Sequence, residues 1–456
     1  MPSATPNFDA AAAAALPGPG WLRESRLASW RRFSEMTMPT EAEEIWRYSR
    51  IDDLDLERYT LVRQAGAVGG EGMSTASSTG SGTRMGTGDG MGIGDLPGDV
   101  RRLVLAAGTD ATVVVAHNGG GGDVVRPQPG LEVGPVGAGP LGADAQPLPA
   151  LAGPRADIWT ALNGAFVQVP WRVSVPAGVS LEAPVVIVHW LDAAEAAVFP
   201  RLEVELGAGS EAQVLEILAS PDADLLAVPL THLAVGQGSH LGFGQVQVLG
   251  SRSWQLGNQV SRVGRDAVLR SMTVAFGGEY ARVRADSVLE GQGGDSELLA
   301  AYFGSGEQVH DLRTVQHHAA PKSRSNLLFK GAVANHSRSV YSGLIRVEKG
   351  AKGTNAFQTN RNLVLSEGAE AYSVPNLEIE DNDVRCSHAS AVGPIDESQL
   401  FYLESRGVPT SAAERLIALG FMDDVLAQFP VGGVRAWLRE ALVAKLDAAG
   451  FGGRPQ

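Results

Sequence analysis

The chain's single cysteine lies two residues before a histidine, in Cys386-Ser387-His388, which puts its one soft metal donor beside a borderline one. On a strand, residues two apart project to the same face with their Cβ atoms about 7 Å apart. A thiolate and an imidazole so placed can share a soft or borderline metal, or the edge of an iron–sulfur cluster. A buried thiol beside a hydrogen-bonded histidine is the plain alternative. Two protein ligands leave a metal incomplete, so such a site needs donors from a second chain.

The other chemistry-bearing residues point less far. His317 and His318 are adjacent, cannot project to one side of a regular strand, and make a poor metal clamp. His189, His232 and His240 have no acidic or cysteine partner at a recognisable ligand spacing and read as structural. Glu378, Glu380, Asp381 and Asp383 crowd into LEIEDNDVRCSHAS, where they suit either a hard cation such as Ca²⁺ or a solvated loop. No G-x-S-x-G occurs, so there is no nucleophile elbow, and no G-x-x-x-x-G-K-[ST], so the chain itself should not hydrolyse ATP.

The elements that must carry these residues are announced by glycine. The chain has 56 glycines in 456 residues, about one in eight against a usual one in fourteen. Many tight turns between short strands fit that excess better than a helical bundle does. From about residue 165, short apolar or alternating runs recur between Gly, Asp, Asn and Ser. One apolar column passes through Val186, Ile217, Val246, Val274, Tyr302, Phe329 and Phe357; a second passes through Val204, Leu233, Val260, Val288, Val315 and Leu344. Both step by about 28 residues, and they interleave, as a stacked β-solenoid requires. A β-sandwich with regular turns is the competing architecture.

The solenoid is flanked by other material. Residues 21–48 read as helical with a break at Pro39-Thr40, and Ala111–Val115 as a short strand. Residues 65–98 are rich in Gly, Ser and Thr and have little to bury, which predicts an insertion. After residue 394 three amphipathic helices are expected, with Gly407 as a helix stop and Ser411…Glu414 as a capping box. The predicted domains are 1–155, N-terminal and mixed; 156–393, the solenoid core; and 394–456, helical. Phe401, Tyr402, Leu416, Phe421 and Phe429 exceed what a small cap needs to bury and are candidates for partner binding, with Arg406-Gly407 setting the turn between helices.

Composition limits function. The formal charge of −14 argues against a general nucleic-acid binder. One cysteine excludes an intramolecular disulfide framework and a self-contained Cys₄ cluster. No apolar run approaches the roughly 18 residues of a membrane span. The first twenty residues lack the basic start of a signal peptide, so the expected setting is the cytoplasm.

Several segments in order resemble the SufB/SufD family of iron–sulfur cluster assembly proteins: HHAAPKSRSNLLFKGAV, SVYSGLIRVEKGA, QTNRNLVLSEGAEA, VPNLEIEDNDVRCSHASAVGPIDESQLFYLESRGV and AAERLIALGF. EEIWRYSRIDDLD, near the N-terminus, is similar to the family's opening segment. Asn360 stands about where the SufB branch carries a cysteine, and Arg385-Cys-Ser-His388 is similar to the SufD branch. The resemblance implies a right-handed parallel β-helix between helical ends, working without turnover of its own in a complex with a SufB-like subunit and a SufC-like ATPase. It implies pairing with SufB through the β-helix core, docking of SufC on the C-terminal helices, and a functional role for His388. His388, with Cys386 as a second candidate, would then serve a transient cluster shared with SufB. A reduced flavin on the complex is also compatible with the family, with none held tightly by this chain alone. Two alternatives stand beside it: a secreted-type β-helix polysaccharide lyase, and a plain interaction solenoid without metal chemistry. Only five lysines and an acidic cluster at the end of the repeats speak against the lyase.

Overall fold

The computed structural model describes residues 7–62, 91–136 and 157–451. The chain is mainly β, a parallel β-solenoid with helices at its N- and C-terminal ends. Consecutive strands alternate between two sheets. The first stacks Trp171–Val175, Arg201–Leu206, Leu230–Val235, Ser253–Val263, Tyr280–Leu289, Val309–His318, Arg338–Val347 and Glu370–Ile379. The second starts at Thr112–His117 and Val185–Trp190 and ends at Thr354–Val364 and Val384–Gly393. The solenoid thus begins at Thr112, well ahead of the boundary at 156 that the sequence suggests, because Thr112–His117 pairs in parallel with Val185–Trp190.

The turn from the first sheet to the second repeats one backbone device. Gly178, Gly209, Gly238, Asp266, Gly293, Lys322 and Gly353 all have positive φ. Each donates its N–H to a carbonyl of the next coil: Ala208, Gln237, Arg265, Gln292, Pro321, Lys352 and Asp383 in turn. Left-handed backbone costs a residue with a Cβ about 1–2 kcal/mol, so five of the seven positions are glycine.

The period of about 28 is correct, whereas the chosen columns slip. Ile217, Val246 and Val274 are in register, but Val274 pairs with Ala301 rather than Tyr302, and Val186 pairs with Leu215. In the second column Leu233 pairs with Ser261, not Val260. Valine-rich runs offer apolar neighbours on both faces, since inner and outer faces are both buried here.

Helices cover the outer faces. On the first sheet lie α1 (Ala10–Ala15), α2 (Gly20–Glu35) and, later in the chain, a helix at Ile158–Phe166, packed on Leu226, Trp254, Leu256 and Tyr280. All nine residues of that third helix are buried. Buried Arg26 donates to the carbonyls of Val167, Gln168, Leu16 and Pro17, tying α2 to its end. Residues 36–43 are not a second helix; the chain makes only a 3-10 turn at Glu44–Trp46. There the Trp46 ring lies between the guanidinium groups of Arg282 and Arg313, 4.9 and 4.2 Å from its centre.

The second sheet's outer face is covered by Gly98–Ala106 and the C-terminal helices Thr410–Leu426 and Arg435–Leu446, while Glu397–Glu404 packs on Thr410–Leu426 and buries none of its own residues. Thr410–Leu426 begins one residue before Ser411, and no side chain caps it. Two lysines pin this layer. Lys330 donates to Asp424 Oδ2 (2.6 Å) and to the Phe421 carbonyl (3.0 Å). Lys445 donates to the Phe276 carbonyl and to Gln308 Oε1 (2.8 Å), and burial lowers its pKa from 10.5 to about 7.

Most of the 65–98 stretch lies outside the described residues. Its last part does not behave as an insertion: Leu96 is buried in the core under the C-terminal helices, with Met91 and Ile93 packed against it. Replacing residues 65–90 by a Gly/Ser linker of equal length should leave the thermal midpoint unchanged, whereas extending the replacement to 98 should lower it in differential scanning fluorimetry. A second outcome follows from Lys445. Its folded pKa lies below its unfolded one, so the unfolded chain holds an extra proton between about pH 7 and 10.5, and stability contributed by this group rises with pH across that window. Lys445→Met should flatten the rise, read as the denaturation midpoint of wild type minus variant at each pH.

Candidate functional site

The last coil of the solenoid consists of Glu370–Ile379 and Val384–Gly393, and nothing described lies over it. Cys386 sits in register above Ala356, and His388 above Gln358. Ala356 and Gln358 are buried inside the solenoid, so alternation places Cys386, His388, Ser390 and Val392 on the inward side as well. Across the coil, Leu377 and Ile379 lie above buried Ile345 and Val347. Ser390 Oγ donates to Ser373 Oγ over 2.8 Å, linking the two strands. Leu377, Ile379 and Val392 are therefore core residues of a coil that lacks its next neighbour, and all three are exposed.

The expected same-face pair is present, with unequal environments. Cys386 is half-buried and packs with Val384 against Ile345, Val347 and Ala351. Burial pushes its thiol pKa up, so it is a neutral thiol at pH 7. His388 is exposed. Beneath it, Gln358 is 1% exposed and neither its Oε1 nor its Nε2 has a hydrogen-bond partner. Gln358 escapes sequence reasoning because its link to His388 is a register across one whole coil, 30 residues away.

The remaining candidates settle into structural roles. His318 points inward between the hydroxyls of Ser323 (2.7 Å) and Ser325 (2.8 Å), and burial lowers its pKa to about 4. His317, on the opposite side, contacts Glu348 at 2.6 Å. His189 and His232 do have acidic partners, Glu216 at 3.2 Å and Glu203 at 3.1 Å, close enough for charge pairing though not aligned as hydrogen bonds. Each partner comes from the adjacent coil, a spacing no local motif reveals. Asp381 accepts N–H groups from Gly350 and Asp383, which order the turn and lower its pKa. Among the described residues no group of three or more His, Cys, Asp or Glu is placed to hold a metal ion. Asn360 is buried, donating to Tyr302 Oη and accepting from Asn362.

A second exposed surface lies on the C-terminal helices. Phe401, Tyr402 and Leu416 are 71, 55 and 53% exposed. The Arg406 guanidinium stacks 3.7 Å from the Tyr402 ring centre, and Gly407, at φ +79°, ends the helix with its N–H on Glu404 and the Val408 N–H on Leu403. Phe421 and Phe429 do not belong to this surface. Phe421 is half-buried under Lys330, 4.8 Å from its ring, and Phe429 is fully buried against Gly244. Both serve to attach the helices to the sheet. No described helix is long and apolar enough to cross a membrane.

Fold and site together define a solenoid that presents a thiol, an imidazole and an unfinished apolar row at one open end. The chain belongs to the SufB/SufD family: the family model described as "SUF system FeS cluster assembly, SufBD core domain" matches residues 189–421. It is 44% identical over 195 residues to an iron–sulfur cluster assembly SufBD family protein of Mycobacterium tuberculosis, covering 41% of this chain and 49% of that relative. It is 29% identical over 291 residues to the iron–sulfur cluster assembly protein SufD of Bacillus subtilis (63% of this chain, 66% of the relative). The SufD of Escherichia coli is 28% identical over 272 residues (59% and 64%). The chain thus spans about half the length of the mycobacterial relative and under two thirds of the length of the other two. Membership displaces the polysaccharide-lyase alternative.

Because Cys386 is the only cysteine, its reactivity can be read directly. Iodoacetamide should label it slowly at pH 7, with a rate still climbing above pH 9, since the thiolate is the nucleophile. Fast labelling that levels off near neutrality would mark an activated thiolate instead.

Proposed function

We propose that the chain is a scaffold subunit, without turnover of its own, of a cytoplasmic complex that assembles iron–sulfur clusters and passes them to apo-proteins. The supporting observation is the uncovered inward row of the last coil, Leu377, Ile379, Cys386, His388 and Val392, in a chain of this family. A solenoid coil buries its inward side chains only when a neighbour covers them, and a SufB-like subunit pairing there would do so. His388 then lies at the joint. Its neutral imidazole can offer a ring nitrogen to iron of the nascent cluster, which is cargo of the complex, while further donors come from the partner. Cys386, held as a thiol, contributes packing. The ATPase, a SufC-like subunit, docks on Phe401, Tyr402 and Leu416, with Arg406 and Gly407 fixing the turn. A reduced flavin on the assembled complex belongs to the same proposal. Without the joint, the molecule would be a plain interaction solenoid.

Co-expression with a SufB-like and a SufC-like chain, in a strain lacking other assembly systems, separates these roles. Leu377→Arg with Val392→Arg should release the SufB-like chain. Phe401→Ala with Leu416→Ala should release the ATPase alone. His388→Ala should retain both and lower iron and sulfide per complex about tenfold, whereas Cys386→Ala should have a smaller effect. Undiminished iron from His388→Ala in a fully recovered complex would falsify the cluster role.

A further inference from the structure

We propose that Gln358 is a positioning residue for His388, its buried side-chain amide holding the imidazole from one coil below in a single tautomer. An amide left without partners in a protein interior costs about 1–3 kcal/mol, and both polar atoms of Gln358 are buried and unpartnered. The surroundings narrow its choice. Below it in register is Leu327, which has no polar side-chain atom. Across its own coil the Nε2 end crowds Gly343, where a Cβ would lie only 2.5 Å away, so the amide reaches over the solenoid interior. The nearby Tyr341 hydroxyl meets Thr314 Oγ1 at 3.0 Å and makes no hydrogen bond with the Gln358 amide. Above it in register stands His388, on the same inward side.

Gln316 fixes which end of the amide points where. Its Nε2 donates to Ser325 Oγ (2.7 Å) and to the carbonyl of Phe357 (3.3 Å), the residue before Gln358, and its Oε1 is likewise buried without a partner. An acceptor there suits the Nε2 of Gln358 and leaves Gln358 Oε1 for a ring N–H of His388. The other ring nitrogen then keeps its lone pair directed out of the open end, the form a neutral ligating histidine needs.

The positioning claim concerns the ring itself, and only its functional arm rests on the cluster reading of His388. The probe is the full chain labelled with ¹⁵N-histidine, with the His388 ring signals assigned by their loss in His388→Ala. At alkaline pH, where the imidazole is neutral, wild type should show one tautomer. Gln358→Met, which keeps the side-chain length and removes the acceptor, should give the mixed tautomers of a free histidine. Gln358→Glu, which restores an acceptor, should return the single form. Co-expressed with the partner chains, Gln358→Met should cut iron per complex about tenfold and Gln358→Glu should recover it. An unchanged tautomer in Gln358→Met overturns the inference. A shifted tautomer with undiminished iron supports the positioning and overturns the cluster reading instead.

Discussion

The backbone ladder between successive coils runs from Thr112–His117 to Val384–Gly393 in one sheet and from Trp171–Val175 to Glu370–Ile379 in the other, and it dictates where every inward side chain must go. A slip of one residue would turn an entire row inside out. The left-handed turn column resists such slips, since eight successive coils are joined by seven copies of the same N–H to carbonyl bond. That rigidity also lets the interior tolerate polar groups. Glu216, buried, accepts from Thr231 and from Gln245 in the next coil, and sits beside His189 of the coil before. Each charge is answered by a neighbour that the ladder holds in place.

The outer layers are attached by cations reaching into the sheets. Trp46 is gripped by Arg282 and Arg313, which are held in turn by Asp157 and Asp311. Two residues on, Tyr48 stacks on Tyr372 of the final first-sheet strand, with ring centres 4.1 Å apart. The N-terminal segment therefore spans from the helical layer to the coil that carries the candidate site. On the other face, Lys330 and Lys445 do the equivalent work for the C-terminal helices. Acidic residues outnumber the 37 lysines and arginines, yet several of those cations are used inside.

Much of this architecture was legible because it is local. Glycine frequency, the period near 28 and the Cys-x-His alternation each depend on neighbours in sequence. What stayed hidden depends on stacking. Val274 and Tyr302 look like one column, yet Ala301 is the true partner, because the spacing between coils varies by a residue or two. Phe421 and Phe429 read as surplus apolar surface until Lys330 and Gly244 are seen beneath them. The site divides the same way: Cys386 and His388 stand out in the sequence, and Gln358 does not.

The two ends of the solenoid differ in a way that bears on how large an assembly can grow. At the start, short antiparallel strands, Val124–Val125 and Glu132–Pro135, border the two sheets and end the parallel stacking. At the finish, both sheets stop on a parallel strand whose edge no other described strand pairs. Among the described residues, edge-to-edge joining onto parallel strands is therefore open at one end of the solenoid. Two such chains meeting there would cover both bare parallel edges. A repeat fold open at both ends would extend into a fibre; one open at a single end favours a closed pair through that contact.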